Sequence, residues 1–429
     1  MARALLTSAL LFAISSVQGY RPGDQICSYA ASKSTCPLSS LTPSSTDGSV
    51  LIYPGGKTRC AYDDFFDPKT NFTANQTYFF QVFPKKESKK LAIILQGGGG
   101  CVDDTTCSFA LQCSLSTQLV SSRAVASSTG MFDSSDVKNP FKDWNIVYAP
   151  YCTGDLHVGN RVLEPFESGI EKAFGRPQCL GLNRKMYLNG WENMKAVFQW
   201  AKTNYPDVEE LVLGGFSAGS LGAQTLAMYT ASLWDVEAKK IPYGILADSY
   251  VGVQPDSKPS GKVLNYYGGC NPEFKFSESV LAACKANTMT IIQSGSDTLK
   301  ALPHASLLFI NSVGDEIQRL FYQLTQDGIL GYPFPNKISA DAYFAKATTI
   351  IEAYKTVSSH VSTFFVEGTQ HVFVLGEKSK FYDTVGTTGE NLGTYLLTWL
   401  AALGSGSGGT TPTPTPSPTP SPTPSRPAC

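Results

Sequence analysis

Short apolar runs alternate with longer stretches of helical periodicity over most of the chain. The runs predict strands at Lys90–Leu95, Trp144–Tyr151, Glu210–Leu213, Tyr243–Ala247, Ser306–Ile310 and Thr363–Val366. Between them, helices are predicted over Gly190–Thr203, Ala218–Met228, Asp315–Leu324, Ala340–Val357 and Asn391–Leu403. Leu188, Trp191, Met194, Ala196 and Val197 roughly follow one helical stripe, with Asn189 placed to cap its start. Leu91-Ala92-Ile93-Ile94-Leu95 is apolar throughout, as a strand buried on both faces must be. Strands separated by helices predict the α/β class: a mostly parallel sheet with helices on both faces. Roughly 385 residues is long for one domain, so a single core over residues 20–404 with large loop insertions is expected. No internal repeat is visible.

The ends depart from this pattern. Arg3, the apolar segment Ala4 to Ile14 and the small-residue exit Val17-Gln18-Gly19 read as a secretory signal over residues 1–19. A membrane anchor is the competing reading, but the apolar segment is too short to span a bilayer, and no later stretch reaches the ~20 apolar residues a span needs. From Gly404 the chain turns to Gly and Ser, then alternates Thr-Pro and Ser-Pro up to Pro424. Residues 405–429 have no apolar surface to bury and read as an extended tail or spacer, with association to a cell wall as its expected use. The tail lacks the hydrophobic terminus that a glycosylphosphatidylinositol anchor needs.

Eleven cysteines fit an exported, disulfide-bonded protein, since a reducing cytosol would leave so many thiols unpaired. Cys101, Cys107 and Cys113 are spaced too widely for a metal knuckle and have no adjacent histidine, and Cys429 is the natural unpaired thiol. Asn71-Phe72-Thr73 and Asn75-Gln76-Thr77 are glycosylation acceptors. A formal net charge of −1 and the absence of a basic stripe argue against nucleic acid as a partner. No metal or organic cofactor is implied, and a monomer is expected.

The chemistry begins at Gly215-Phe216-Ser217-Ala218-Gly219, which follows the apolar Leu211-Val212-Leu213-Gly214 and precedes a small-residue helix start. Strand, G-x-S-x-G and helix in that order is the context of a nucleophile elbow, which raises a serine hydroxyl above the sheet. Such a serine needs a histidine to take its proton and a carboxylate to orient that histidine, expected in the chain order Ser, acid, His. Of four histidines, His371 alone follows a late strand through a turn; His304 precedes its strand, His360 ends a helix and His157 comes before the serine. For the acid, Asp315 just past Ser306–Ile310 is favoured over Asp248, with Glu316 facing solvent. Donors for a developing oxyanion are expected from the N–H of Ala218 and from Gln96-Gly97-Gly98-Gly99-Gly100-Cys101. A phosphate loop is the rival reading of that run, but no G-K-[ST] follows it.

In order along the chain, Gln96 to Cys101, Ala149-Pro150-Tyr151-Cys152-Thr153-Gly154-Asp155, the Ser217 pentapeptide and the Asp315 and His371 segments resemble the pectin acetylesterase and Notum family. The resemblance spans most of residues 90–375. It implies a secreted α/β-hydrolase fold, with Ser217 as nucleophile, Asp315 as acid, His371 as base, and Gly98, Gly99 and Ala218 as oxyanion donors. Family members typically carry a bulky aromatic residue where this chain has Gly99, which implies a wider pocket here. His157 stands where relatives tend to have an aromatic side chain, and it and Tyr151 are candidates for substrate contact. Asp155 is expected to serve structure rather than chemistry. The expected function is a secreted serine esterase acting on acetylated pectin or a similar wall polysaccharide. The alternatives are removal of a longer fatty acyl group, and an inactive binding protein on the same fold.

Overall fold

The computed structural model describes residues 26–29, 33–45, 47–61, 65–67, 72–74, 78–107, 130–165, 185–328, 331, 334–375 and 380–403. The leader, the acceptors Asn71 and Asn75, the cysteines Cys113, Cys179 and Cys429 and the tail 405–429 lie outside these residues.

Among the described residues nine strands form the main sheet: β1 (Ile26–Ser28), β2 (Val50–Tyr53), β3 (Phe80–Phe83), β4 (Lys90–Leu95), β5 (Asn145–Ala149), β6 (Glu210–Phe216), β7 (Tyr243–Asp248), β8 (Ser306–Ser312) and β9 (Val361–Val366). Their spatial order is β1-β2-β3-β5-β4-β6-β7-β8-β9. Only β3 runs against its neighbours; every other pairing is parallel. The mostly parallel α/β sheet expected from the apolar runs is therefore observed. The strands that sequence pattern did not reveal are β1, β2 and β3, of three or four residues each, too short for periodicity to register.

The strand predicted over Glu210–Leu213 runs on to Phe216, so Gly214 and Gly215 belong to β6. Their lack of side chains lets the neighbouring layers close in: a Cβ on Gly215 would lie 2.2 Å from the Gly219 carbonyl oxygen. The flanking helices are α1 (Gly190–Asn204), α2 (Ala218–Trp234), α3 (Ser260–Tyr266), α4 (Glu278–Lys285), α5 (Ile291–Ala301), α6 (Glu316–Asp327), α7 (Ala340–Lys355) and α8 (Leu392–Ala402). α2 packs on β4, β6 and β7, α1 on β5, and α7 on β9. Trp191, Met194 and Val197 turn inward from α1 as their spacing predicts, whereas Leu188 belongs to a short strand before it. Asn189 holds the N-cap position of α1 but does not cap it. Its amide instead donates to the Lys57 carbonyl and to Asn193 Oδ1, tying the helix start to the loop after β2.

Disulfides join Cys27 to Cys36, Cys60 to Cys152, Cys101 to Cys107 and Cys270 to Cys284. Among the described residues no helix is long and apolar enough to cross a membrane. Because β4 to β9 run in one direction, the connections leaving β4, β6, β7, β8 and β9 emerge at one edge of the sheet. Ligands of open α/β sheets bind at that carboxyl edge.

Candidate active site

Ser217 leaves β6 with φ 54° and ψ −122°, a strained conformation for a residue with a side chain, and α2 begins at the next residue. The turn closes only because Gly219 lacks a Cβ, which would stand 2.1 Å from the Leu95 carbonyl oxygen. The Ser217 N–H donates to the Asp248 carbonyl at 2.8 Å, fixing the elbow to the end of β7.

Asp315 follows β8 and caps α6. Its Oδ1 accepts from the amides of Ile317 at 3.0 Å and Gln318 at 2.9 Å, and Oδ2 from Gln318 Nε2 at 2.8 Å. The same carboxylate, fully buried, lies 2.9 and 3.0 Å from Nδ1 of His371, which follows β9. The other ring nitrogen, Nε2, is buried and has no hydrogen-bond partner among the described residues. Glu316 turns outward to pair with Lys337. His304 and His360 precede β8 and β9, at the opposite edge of the sheet.

Asp248, the competing acid, does not bond to His371. Its Oδ2 accepts from the amides of Phe373 and Val374, each at 2.8 Å, and its Oδ1 from Ser249 Oγ at 2.7 Å. Ser249 Oγ in turn accepts from the Val372 amide at 2.8 Å. Three consecutive amides after His371 are thus held by the residues that end β7. Burial pushes the Asp248 carboxyl up to about 6, against the pull of these donors and of His371.

The glycine run lies against the elbow. A Cβ on Gly97 would sit 2.6 Å from the Phe216 carbonyl oxygen and 2.7 Å from Ser217 Cβ, so only a bare backbone approaches this closely. Behind the run, His157 and Tyr151 pack ring to ring at 4.7 Å. Burial lowers the His157 imidazole to about 4, so the ring is neutral and its Nε2–H donates to the Gln96 carbonyl at 2.8 Å. Gln96 Oε1 accepts from the Tyr151 amide, and the Tyr151 hydroxyl accepts from the Leu156 amide, each at 2.8 Å. Asp155 accepts from Thr153 Oγ1 at 2.6 Å, the Gly190 amide at 2.7 Å and the His157 amide at 3.2 Å, with its carboxyl raised to about 6 by burial. Neither Tyr151 nor His157 lines the cavity in front of Ser217; both support the glycine turn from behind.

That cavity is small, about 30 Å³, in a cleft whose empty space, open mouth included, is about 380 Å³. Gly99, Ser217, Leu221, Tyr250, Gln254 and Phe321 are among its walls. The widening implied by Gly99 is not observed, because the ring of Phe321 from α6 fills the space that a side chain at position 99 would take. Sequence reading missed Phe321, Ser249 and Gln318. Only Gln318 carried a signal, lying one helical turn after Asp315 on the same face.

Residues 74–251 match the family described as Pectinacetylesterase, which bears out the resemblance drawn from the motifs. The match includes the glycine run and Ser217 and ends before Asp315 and His371. Among solved structures, that of the Wnt deacylase Notum from Drosophila is similar, with 18% identity, a TM-score of 0.53, and coverage of 82% of this chain and 93% of that chain. At such identity the likeness speaks for the fold, an α/β-hydrolase architecture. Comparison with curated proteins finds no match.

Proposed function

Taking membership of the pectinacetylesterase family as the premise, we propose that the protein is an exported serine carboxylesterase that removes acetyl groups from pectin or a related cell-wall polysaccharide. The observation that carries this reading is the Asp315–His371 pair, whose free Nε2 lies in the loop stitched to the Ser217 elbow. A buried imidazole nitrogen with no partner is costly, and it is suited to receive the serine proton.

Ser217 Oγ attacks the acetyl carbonyl carbon while His371 Nε2 takes its proton. Asp315 holds Nδ1–H and stabilises the imidazolium. The N–H groups of Gly98, Gly99 and Ala218 receive the oxyanion, each such donor contributing about 3–4 kcal/mol in the transition state. The bond from the carbonyl carbon to the sugar oxygen then breaks, and His371 delivers its proton to that oxygen. Water, deprotonated by the same imidazole, attacks the acetyl-enzyme, releases acetate and restores the Ser217 hydroxyl.

Two further observations support the assignment. The walled cavity beside Ser217 is small, about 30 Å³, which favours a short acyl group over a fatty chain. Four disulfides among the described residues suit an oxidising, extracellular setting. The test is acetate release from acetylated pectins and xylans by the wild type and by Ser217→Ala. The variant should be secreted normally and show no hydrolysis above background. Retained turnover, or octanoyl esters cleaved faster than acetyl esters, would refute the reading.

A further inference from the structure

The fit between Gly99 and Phe321 joins two distant parts of the chain at one wall of the cleft. A Cβ on Gly99 would lie 2.6 Å from Phe321 Cζ and 3.3 and 3.6 Å from the two Cε atoms, so the end of the ring abuts the bare backbone of the glycine run. Phe321 is half-buried and lies outside the hydrophobic core, whereas its neighbour Tyr322 packs against that core. A phenylalanine that contributes nothing to the core and projects into a cleft beside the nucleophile requires another explanation. Thr325, one turn further along α6, lines the same cavity, so this face of the helix is turned to the cleft.

The position of the ring is also indexed to the reacting groups. α6 starts directly after Asp315, whose carboxylate caps the helix and holds His371. Gln318 pins the first turn from the other side, donating to Asp315 Oδ2 at 2.8 Å and accepting from the Val251 amide at 3.1 Å. The ring therefore stands less than two turns from the most constrained residue of the site, on a helix that cannot slide without displacing the acid.

We propose that Phe321 is the end wall of the acyl site and restricts this enzyme to acetyl-sized groups, so that acyl length is set by α6 rather than by the glycine run. The proposal rests on the esterase reading above. Gly99 and Phe321 form one reciprocal unit: the absent side chain admits the ring, and the ring replaces the absent side chain. Acetyl then fits, and each further methylene meets the ring.

The experiment compares kcat/KM on p-nitrophenyl acetate, butyrate, hexanoate and octanoate for the wild type, Phe321→Ala and Phe321→Leu. The wild type should decline steeply with chain length. Phe321→Ala should raise the hexanoate-to-acetate ratio by roughly 10- to 100-fold, since each methylene newly buried is worth about fourfold, and Phe321→Leu should raise it less. Gly99→Ala, strained in either background because Gly99 sits at φ 78°, should lose more activity with Phe321 in place than in the Phe321→Ala background, a coupling that a merely packed side chain elsewhere on the helix would not give. If Phe321→Ala does not fold, the ratio for Phe321→Leu decides. A ratio that does not move in a folded, active variant overturns the end wall and leaves the esterase standing. Wild-type protein that hydrolyses no ester and escapes fluorophosphonate labelling removes both.

Discussion

Replacing Asp248 by Asn tests whether the site is held together by a carboxylate that takes no part in the chemistry. Asp248 is fully buried at the end of β7. Its carbonyl fixes the Ser217 amide, and its side chain with that of Ser249 fixes the amides of residues 372–374, all at 2.8 Å. Asparagine can keep one acceptor where the Phe373 and Val374 amides converge, but it places an NH₂ against the Ser249 hydroxyl, which already accepts from Val372. That mismatch costs about 1–3 kcal/mol. Against it stands a relief: the carboxyl lies at about 6 instead of its ordinary 3.8, so at neutral pH the folded chain carries a penalty of roughly 3 kcal/mol for keeping it ionised. The two nearly cancel, and Asp248→Asn should unfold in urea at neutral pH close to the wild type.

Catalysis has no such compensation. Loosening the loop next to His371 misplaces the base, and kcat on an acetyl ester should fall about 10- to 100-fold with KM little changed. The pH dependence of stability follows from the same shift. A carboxyl whose folded value is raised takes up a proton on folding between 3.8 and about 6. Relative to the variant, the wild type therefore gains about 3 kcal/mol as pH falls through that window and loses it again as pH rises through 6. An unchanged kcat in a folded variant, or a stability difference that does not move with pH, would refute the reasoning.

Asp315→Asn should keep the fold at a cost of about 1–3 kcal/mol, since asparagine caps α6 as aspartate does but turns an NH₂ toward the Gln318 Nε2 donor, while kcat drops roughly 10⁴-fold as the imidazole loses its orienting anion; stopped-flow or burst kinetics beside a melting curve separate the two effects. Replacing Cys60 and Cys152 together by Ser opens a 92-residue tether and should lower the urea stability by about 4–5 kcal/mol in the loop-entropy account. Because Cys152 follows Tyr151, which backs Gly98, the same variant should also lose kcat, and a normal kcat in the folded fraction would show that the glycine turn needs no such backing.

The parts of the site legible in sequence are those that a local pattern must encode. A serine on a strand-to-helix elbow needs glycines on both sides for steric reasons, and the clash a Cβ on Gly219 would make with Leu95 shows the requirement directly. The central strands were equally legible, because burial on both faces leaves continuous apolar runs such as Leu91 to Leu95. The short strands on the β1 side of the sheet were not: Val50–Tyr53 and Phe80–Phe83 are four residues each, and nothing in so short a run distinguishes a strand from a buried turn. The cap assigned to Asn189 failed for a related reason. Its type and position suited a cap, but the Lys57 carbonyl, far away in sequence, offered its amide a competing partner.

Asp248 and Asp315 show where sequence reading runs out. Both are buried aspartates at strand exits beside His371, and spacing alone could only rank them. What separates their surroundings is the element that follows. After Asp315 comes a helix, whose first amides and Gln318 hold the carboxylate still while leaving a side open to Nδ1. Asp248 is followed by an irregular segment, and its oxygens are consumed by the amides of the histidine loop. The carboxylate with an open side faces the imidazole, and the one without becomes the fastening. Phe321 was illegible for a stronger reason. Helical periodicity states that residues 321 and 325 share a face, but not that the face looks onto a glycine whose missing side chain makes the room. That fact belongs to a pair of positions on different elements, and only their meeting in space reveals it.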